Sequence, residues 1–496
     1  MDNLLTEQED FVFQGAGKPK AGFKKPISLI ILTTKLESKK NTLAPTVKKM
    51  MEKSSSLGFK CIIINTSQGE IEKTESGSFF IRNKGSQIKH EIDIKNAVVL
   101  ARRSSINSTA AVKFFEKLES LGFVSVNSPK AVLLCEDKLD TVQKLQEKGI
   151  PTPKTALISS EDDIENAINK VGGKYPVVVK TLSGTKGIGV FQIDSKESLI
   201  STLQTMWKLS PETELIVQEK IEADYDLRIH VVGSRNSTGD GDNYTIIASM
   251  KRNRVENDFR TNVSLGGIAE AVEIPKEIEK IAIGAAKATE CSWCGVDIII
   301  GKNSGVPYVL EVNASPGTDG IEQATGLDVT GIILEFILNK KNWNYPRKMV
   351  GFREIFDVKG IGKFIGKLDT GNGAIACSLH ADSSEESSDG FLNWTVGGKS
   401  FSNRIMEYSH AEVGDQTDKR PVILLDIEFG KMVYKKVKFS VVDRTNKSTP
   451  MLINRGFMEI AGLVVDASKT FLLTDEPEDY SPLNAKGEPL AGIELY

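Results

Sequence analysis

The segment G-V-D-I-I-I-G-K-N-S-G-V-P-Y-V-L-E-V-N-A-S-P-G, residues 295–317, decides the fold. Two apolar runs, V-D-I-I-I (296–300) and P-Y-V-L-E-V-N (307–313), flank the turn sequence G-K-N-S-G and predict an antiparallel hairpin. Alternation along the second strand sends Glu311 and Asn313 to one face, and the hairpin brings Asp297 beside them. Two carboxylates and an amide oxygen are hard donors suited to magnesium, which keeps its other positions for water and phosphate. The alternative is a polar cross-strand ladder on a solvated face. The Pro-Gly turn in N-A-S-P-G (313–317) locks the strand end and favours a site.

Working outward, P-V-V-V-K (176–180) and G-V-F-Q-I (189–193) read as strands joined by T-L-S-G-T-K-G-I. Gly184, Gly187 and Gly189 let this connection approach a ligand closely and aim backbone N–H groups at phosphate oxygens, with Lys186 at its tip. A plain turn is the alternative, and the G-K-[ST] ending of a Walker loop is absent. V-Q-E-K-I (217–221) ends in Glu219 and Lys220, a segment able to read an adenine edge. Asp226 and Arg228 follow on the alternating strand D-L-R-I-H-V-V. The run 251–262 concentrates Lys251, Arg252, Arg254 and Arg260. It is a solvated charge run, or, because it abuts Gly266 and Gly267, a loop lining an anionic site.

These segments place an α+β domain over 131–340. Before it, I-S-L-I-I-L-T-T (27–34) is an uninterrupted apolar run that reads as a buried strand. A helical period over 42–57, the strand C-I-I-I-N and a further strand at 97–100 imply a parallel α/β domain over 27–130. Residues 1–26 read as a polar leader. From 350 to 473 short strands dominate, as in R-P-V-I-L-L-D-I-E-F, and a small all-β barrel fits. S-S-E-E-S-S-D (383–389) reads as an acidic loop there, and 474–496 as an extended acidic tail. The chain is thus multidomain, in keeping with 496 residues. Its 63 Lys and Arg nearly balance 66 Asp and Glu, which argues against coating nucleic acid. Five cysteines are too few for a disulfide framework. No apolar run suits a signal peptide or a bilayer span, so a soluble, cytoplasmic protein is expected. Cys291 and Cys294, in C-S-W-C, read as small packed residues on a helix leading into the G-V-D strand.

In their order, D-K (137–138), V-V-K (178–180), S-G-T-K-G-I-G-V, V-Q-E, D-x-R (226–228), D-F-R-T-N (258–262), G-V-D and E-V-N-A-S-P-G resemble an ATP-grasp ligase over about 27–340, with 27–130 as the pre-ATP-grasp domain. They are most similar to the RimK-type enzymes, which add glutamate to the C-terminus of a small-subunit ribosomal protein. The resemblance implies ATP with magnesium or manganese as cofactors, and a protein C-terminus and glutamate as partners. It implies that Lys138 and Lys180 contact phosphates, Glu219 and Lys220 frame the adenine and Asp226 the ribose. Arg260 and Asn262 would hold the phosphate end and the acyl substrate, and Asp297, Glu311 and Asn313 the metal. It further implies an acyl-phosphate, opened by an amine in a site from which a lid excludes water.

K-L-D-T-G-N-G-A (367–374) resembles the active-site turn of aspartic proteases. With L-H-A (379–381), D-R-T-N-K-S-T-P-M-L-I-N-R (443–455) and V-V-D-A-S-K-T-F-L-L (464–473), it is similar to the retropepsin-like domains called ATP-dependent zinc proteases. That implies Asp369 as one half of a dyad that a symmetric homodimer completes. Two departures sit where loop geometry is strict: the Asp369–His380 spacing is longer than usual, and Asn454 replaces the usual glycine before Arg455. The four histidines form no H-E-x-x-H, so zinc has no support, and His380 reads as a structural hydrogen-bonder.

Overall fold

The computed structural model describes residues 26–33, 36–37, 42–75, 78–102, 106, 108–182, 189–211, 213–234, 243–253, 269–344, 346–413, 416–430 and 432–477. The described residues fall into two units, one ending at Pro346 and one beginning at Arg347. The leader up to residue 25 and the tail from 478 lie outside the described residues.

The first unit opens on β1 (Ser28–Thr33), buried along its whole length. It lies between β2 (Lys60–Asn65) and β3 (Ala97–Ala101), with β4 (Val124–Val126) beyond β3, and all pairs are parallel. Leu29 and Ile31 enter the core that holds Met50 and Met51 of helix α1 (Pro45–Ser56). Ile30 and Leu32 enter the core that holds Phe115 and Leu118 of α2 (Thr109–Ser120). Both faces are covered, so the strand needs apolar side chains at successive positions. Each such burial contributes about 1.5–3 kcal/mol.

Two short helices follow, α3 (Pro129–Glu136) and α4 (Lys138–Glu147), with one residue between them. That residue, Asp137, caps α4 by accepting the amides of Leu139 and Asp140 at 2.8 and 2.9 Å. A second, antiparallel sheet contains β5 (Thr155–Ile158), β6 (Val177–Thr181), β7 (Val190–Ile193) and β8 (Leu215–Glu219) in the order β5-β8-β6-β7.

The third sheet contains β9 (Tyr225–Ser234), β10 (Asn243–Asn253), β11 (Ala269–Ala271), β12 (Trp293–Ile300) and β13 (Pro307–Asn313), in the order β11-β10-β9-β12-β13. Helix α5 (Lys276–Ala288) packs on it through Ile278, Ala282, Ala285 and Ala286. Asn127, just after β4, ties the first sheet to the third. Its amide donates to the carbonyls of Trp293 (2.6 Å) and Ala314 (2.7 Å), and its oxygen accepts the amides of Ser292 (2.5 Å) and Trp293 (2.9 Å). No helix among the described residues is long and apolar enough to cross a membrane.

The second unit is a seven-stranded barrel. Its strands are β14 (Arg353–Val358), β15 (Gly362–Leu368), β16 (Cys377–His380), β17 (Glu407–Val413), β18 (Gln416–Phe429), β19 (Met432–Val442) and β20 (Met451–Ile453). They run in the order β14-β15-β20-β16-β19-β18-β17, and a β14–β18 pairing closes the sheet. Its core includes Phe356, Phe429, Phe439 and Phe457. The acidic loop expected at 383–389 begins instead as a strand, Ser383–Glu386. It pairs with Phe391–Val396, whose Leu392 and Trp394 are buried and anchor the small sheet. A helix, α6 (Arg455–Ala461), also stands where strands were expected, capped by Asn454 and ended by Gly462 in the left-handed region. The buried Glu354 carboxylate accepts the amides of Gly351, Leu472, Leu473 and Thr474 and the Thr474 hydroxyl. The expected tail is therefore pinned at its first residue.

Candidate active site

The β12–β13 hairpin sets Asp297 directly opposite Glu311, and the register shifts just past Asp297. Such a bulge re-aims the side chains around it. On its other edge β12 pairs with β9, which places Arg228 directly opposite Asp297. β9 in turn pairs with β10, which places Arg252 opposite Asp226. Acid and base thus alternate across three strands.

Contacts follow that register. Arg228 grips both carboxylate oxygens of Asp297 at 2.7 and 2.6 Å. Arg252 grips both oxygens of Asp226 at 2.6 Å and adds one bond to Asp297 at 2.9 Å. The side chains of Arg252, Asp226 and Asp297 are only 3%, 5% and 9% exposed. Burial raises the Asp297 carboxyl, but Arg228 and Arg252 outweigh it and hold the group well below the usual carboxylate range. Asp297 therefore stays ionised.

Glu311 is different. Among the described residues its carboxylate accepts no hydrogen bond, and it lies within the electrostatic reach of Lys138 and Lys180. Asn313 sits opposite Gly295, and its side-chain oxygen accepts the Ser315 amide at 2.9 Å, which shapes the Ser-Pro-Gly turn. That turn crosses close to β12: a Cβ on Gly295 would lie 3.0 Å from Pro316 Cβ. Among the described residues no group of three or more His, Cys, Asp or Glu is arranged to hold a metal. The donor set here is two carboxylates and an amide. Its hard oxygens fit magnesium, and Glu311 is the member with lone pairs uncommitted to described residues.

Two lysines approach from the other elements. Lys180, near the end of β6, donates to Gln218 Oε1 at 2.7 Å, and Gln218 donates to Thr155 at 2.8 Å. Burial pushes Lys180 down to about 8, against the pull of Glu311. Lys138, the first residue of α4, donates to the Leu182 carbonyl at 3.0 Å, and burial lowers it as well. Both cations lack full hydration, so an anion that reaches them is held strongly.

The remaining candidates are placed as follows. Gly189 has φ +77°, and a Cβ there would lie 2.9 Å from Thr181 Oγ1, so glycine is required where the connection re-enters β7. Gly184, Lys186, Gly187, Arg260 and Asn262 lie outside the described residues. Glu219 accepts the Lys154 amide at 2.7 Å, and Lys220 pairs with Glu222 at 2.6 Å. Asp226 is committed to Arg252 inside the sheet. Arg252, read only as one cation of a charged run, is the buried centre of the network; nothing but strand register reveals it.

In the barrel, Asp369 directly follows β15, and its amide donates to the Ile453 carbonyl at 3.0 Å. Its carboxylate accepts the Gly371 amide at 3.2 Å. Asn454, the departure from glycine, is put to use. Its oxygen accepts the Phe457 amide at 2.9 Å, and its amide donates to Ala374 at 2.6 Å, which braces the Asp369 loop. His380 accepts the Arg444 amide at 3.0 Å. Cys291 and Cys294 are not on a helix: α5 ends at Ala288, and Cys294 is the second residue of β12.

Residues 135–337 match the family described as the RimK-like ATP-grasp domain. A probable alpha-L-glutamate ligase of Shewanella loihica is 40% identical over 256 residues, which cover 51% of this chain and 79% of that protein. The probable alpha-L-glutamate ligase 2 of Pseudoalteromonas atlantica is 35% identical over 303 residues, covering 60% and 93%. Among solved structures, the macrocyclase MdnC bound with precursor peptide MdnA, from Microcystis aeruginosa, aligns with a TM-score of 0.48 at 17% identity, over 63% of this chain and 100% of that one.

Proposed function

The chain belongs to the RimK-like ATP-grasp ligases, alongside the alpha-L-glutamate ligases, and on that premise we propose that it joins glutamate to the C-terminal carboxylate of a protein or peptide. A ribosomal protein is the first acceptor to test. The acceptor carboxylate attacks the γ-phosphate of ATP, giving an acyl-phosphate and ADP. The glutamate amine then attacks the acyl carbon, phosphate leaves, and an amide forms.

One observation carries this reading. Two partly dehydrated lysines, Lys138 and Lys180, lie within electrostatic reach of Glu311, which stands opposite an Asp297 kept ionised by arginines. Lys138 and Lys180 would bind phosphate oxygens, with Lys186 and Gly184, Gly187 and Gly189 over them. Asp297, Glu311 and Asn313 would hold magnesium, which when bound neutralises charge on the transferring phosphoryl group. Arg228 and Arg252 keep Asp297 charged and oriented. Glu219 and Lys220 would frame the adenine, and Arg260 and Asn262 are assigned to the phosphate end and the acyl substrate by the resemblance alone.

The test is incubation with ATP, magnesium and glutamate, with and without peptides ending in a free carboxylate. The reading requires phosphate release that depends on acceptor, together with a glutamate mass added to the peptide C-terminus. Adducts on small carboxylic acids alone would shift the substrate to a metabolite, and phosphate release without any adduct would overturn ligation.

For the barrel we propose a peptidase-like module that trims or binds the same product, because Asp369 is held at a strand end by Ile453 and the Asn454-braced loop. One chain supplies one carboxylate, so activity needs a second copy. Asp369→Asn should abolish peptide cleavage and spare ligation. If it changes no cleavage, while a chain ending at Pro346 loses self-association, the barrel is a binding and dimerisation module instead. A cytoplasmic setting fits both roles.

A further inference from the structure

We propose that Cys135 and Cys291 form a peroxide-sensitive thiol pair, a modification site through which oxidation lowers nucleotide affinity. The two sulfurs lie 3.6 Å apart although their residues come from different elements, the last turn of α3 and the segment entering β12. A third thiol, Cys294, also lies within hydrogen-bonding reach of Cys291. All five cysteines are free. The other two stand apart from this group: Cys61 neighbours Ser54, and Cys377 neighbours Asn454.

The cluster has the features that oxidation needs. Cys291 is buried and Cys135 is half-buried, so Cys135 is the member of the pair nearer solvent. Hydrogen bonds from Cys135 and Cys294 favour the Cys291 thiolate, while the Cys135 thiol is pushed up by the same contact. A thiolate of the pair attacks hydrogen peroxide and becomes a sulfenic acid, releasing hydroxide. The second thiol displaces hydroxide from that sulfur, and the S–S bond forms. Two thiols and one peroxide become one disulfide and two waters, and two electrons pass from sulfur to oxygen. A dithiol reverses the step by exchange.

The position of the pair gives the bond its consequence. A disulfide needs the sulfurs about 1.5 Å closer than they stand. Cys135 is in the last turn of α3, and Asp137 alone separates that helix from Lys138. Closing the bond therefore draws on the residue that starts α4 and donates to Leu182 beside the nucleotide site. The link to ATP rests on the reading of Lys138 as a phosphate contact. Loss of one charge-assisted bond predicts an ATP dissociation constant about tenfold higher.

The experiment uses the full chain. It is treated with hydrogen peroxide and then with dithiothreitol, peptides are mapped by mass spectrometry without reduction, and ATP affinity is measured at each stage. The proposal requires a Cys135–Cys291 cross-linked peptide and an affinity loss that dithiothreitol reverses. Cys135→Ser should abolish both effects, and the double variant Cys61→Ser/Cys377→Ser should behave as wild type. A wild-type chain without that cross-link, or one joining only Cys291 and Cys294, overturns the proposal, as does an equal affinity loss in Cys135→Ser. Reduced Lys138→Ala separates the two ideas: if its ATP affinity matches wild type, the phosphate role of Lys138 fails even where the cross-link forms.

Discussion

Replacing Lys180 by Met should make the protein more stable and inactive at once. The ammonium is held to about 8 in the fold against an ordinary lysine value of 10.5. At ~1.4 kcal/mol for each tenfold, that gap means roughly 3 kcal/mol of destabilisation while the group is charged. Partial exposure screens some of it, and methionine leaves Gln218 Oε1 without its donor, which costs about 1 kcal/mol. A net gain of about 1–2 kcal/mol at pH 7 remains. Both the size and, at high pH, the sign depend on pH: once the penalty is gone, only the donor lost to Gln218 remains, and the variant becomes slightly the less stable. Below about 8 both folded and unfolded chains carry the proton, and the penalty is complete. Between about 8 and 10.5 the unfolded chain binds more protons than the folded one, so wild-type stability rises with pH. The advantage of the variant should therefore vanish by the upper end of that window. Urea unfolding, read by hydrogen exchange of peptides spanning 177–181 and 215–219, isolates this sheet from the second unit. A variant less stable than wild type at pH 7, or a difference that stays constant through pH 10.5, would falsify the claim that Lys180 is held charged at a desolvation cost. Phosphate release should meanwhile fall by at least about a hundredfold, the cost of one charge-assisted contact to a transferring phosphate.

Arg252→Met should destabilise the first unit by about 3–5 kcal/mol, because it strips the buried Asp226 carboxylate of the guanidinium that grips both its oxygens. The double change Asp226→Asn/Arg252→Met should recover most of that in urea titration, and no recovery would count against the pairing. Glu311→Gln should leave the unfolding midpoint near wild type while raising the magnesium concentration needed for half-maximal phosphate release; an unchanged magnesium dependence removes Glu311 from the metal set. Asn127→Ala removes four hydrogen bonds to buried backbone, and a cost of about 3 kcal/mol in thermal unfolding is expected. Asn454→Gly restores the glycine usual in the resembling family but loses a helix cap and the Ala374 brace, so the barrel should lose about 1 kcal/mol.

Much of this molecule was legible in its residues because the signals are local. A continuous apolar run forces a strand covered on both faces, as at 28–33. The hairpin of 293–313 follows from two strand-forming runs around G-K-N-S-G, and alternation alone puts Glu311 and Asn313 together. Asp137–Lys138 was legible only as a step of the resembling family; that the aspartate caps the helix the lysine begins is seen in the fold. Other features needed the folded chain. Asp226 reads as a ligand-facing carboxylate until strand register sets Arg252 opposite it, and Arg252 reads as a solvated cation until burial makes it the centre of a network. The serine- and glutamate-rich segment 383–386 has a loop's composition, but cross-strand pairing beside the buried Trp394 makes it a strand. Cys135 and Cys291 are 156 positions apart, and only packing of α3 beside the entry to β12 brings their sulfurs into contact. Sequence determines what lies within a few residues along the chain, because propensity, alternation and capping act at that range. Register and packing decide which charges and thiols meet, because those energies exist only once distant strands are paired and water has been excluded.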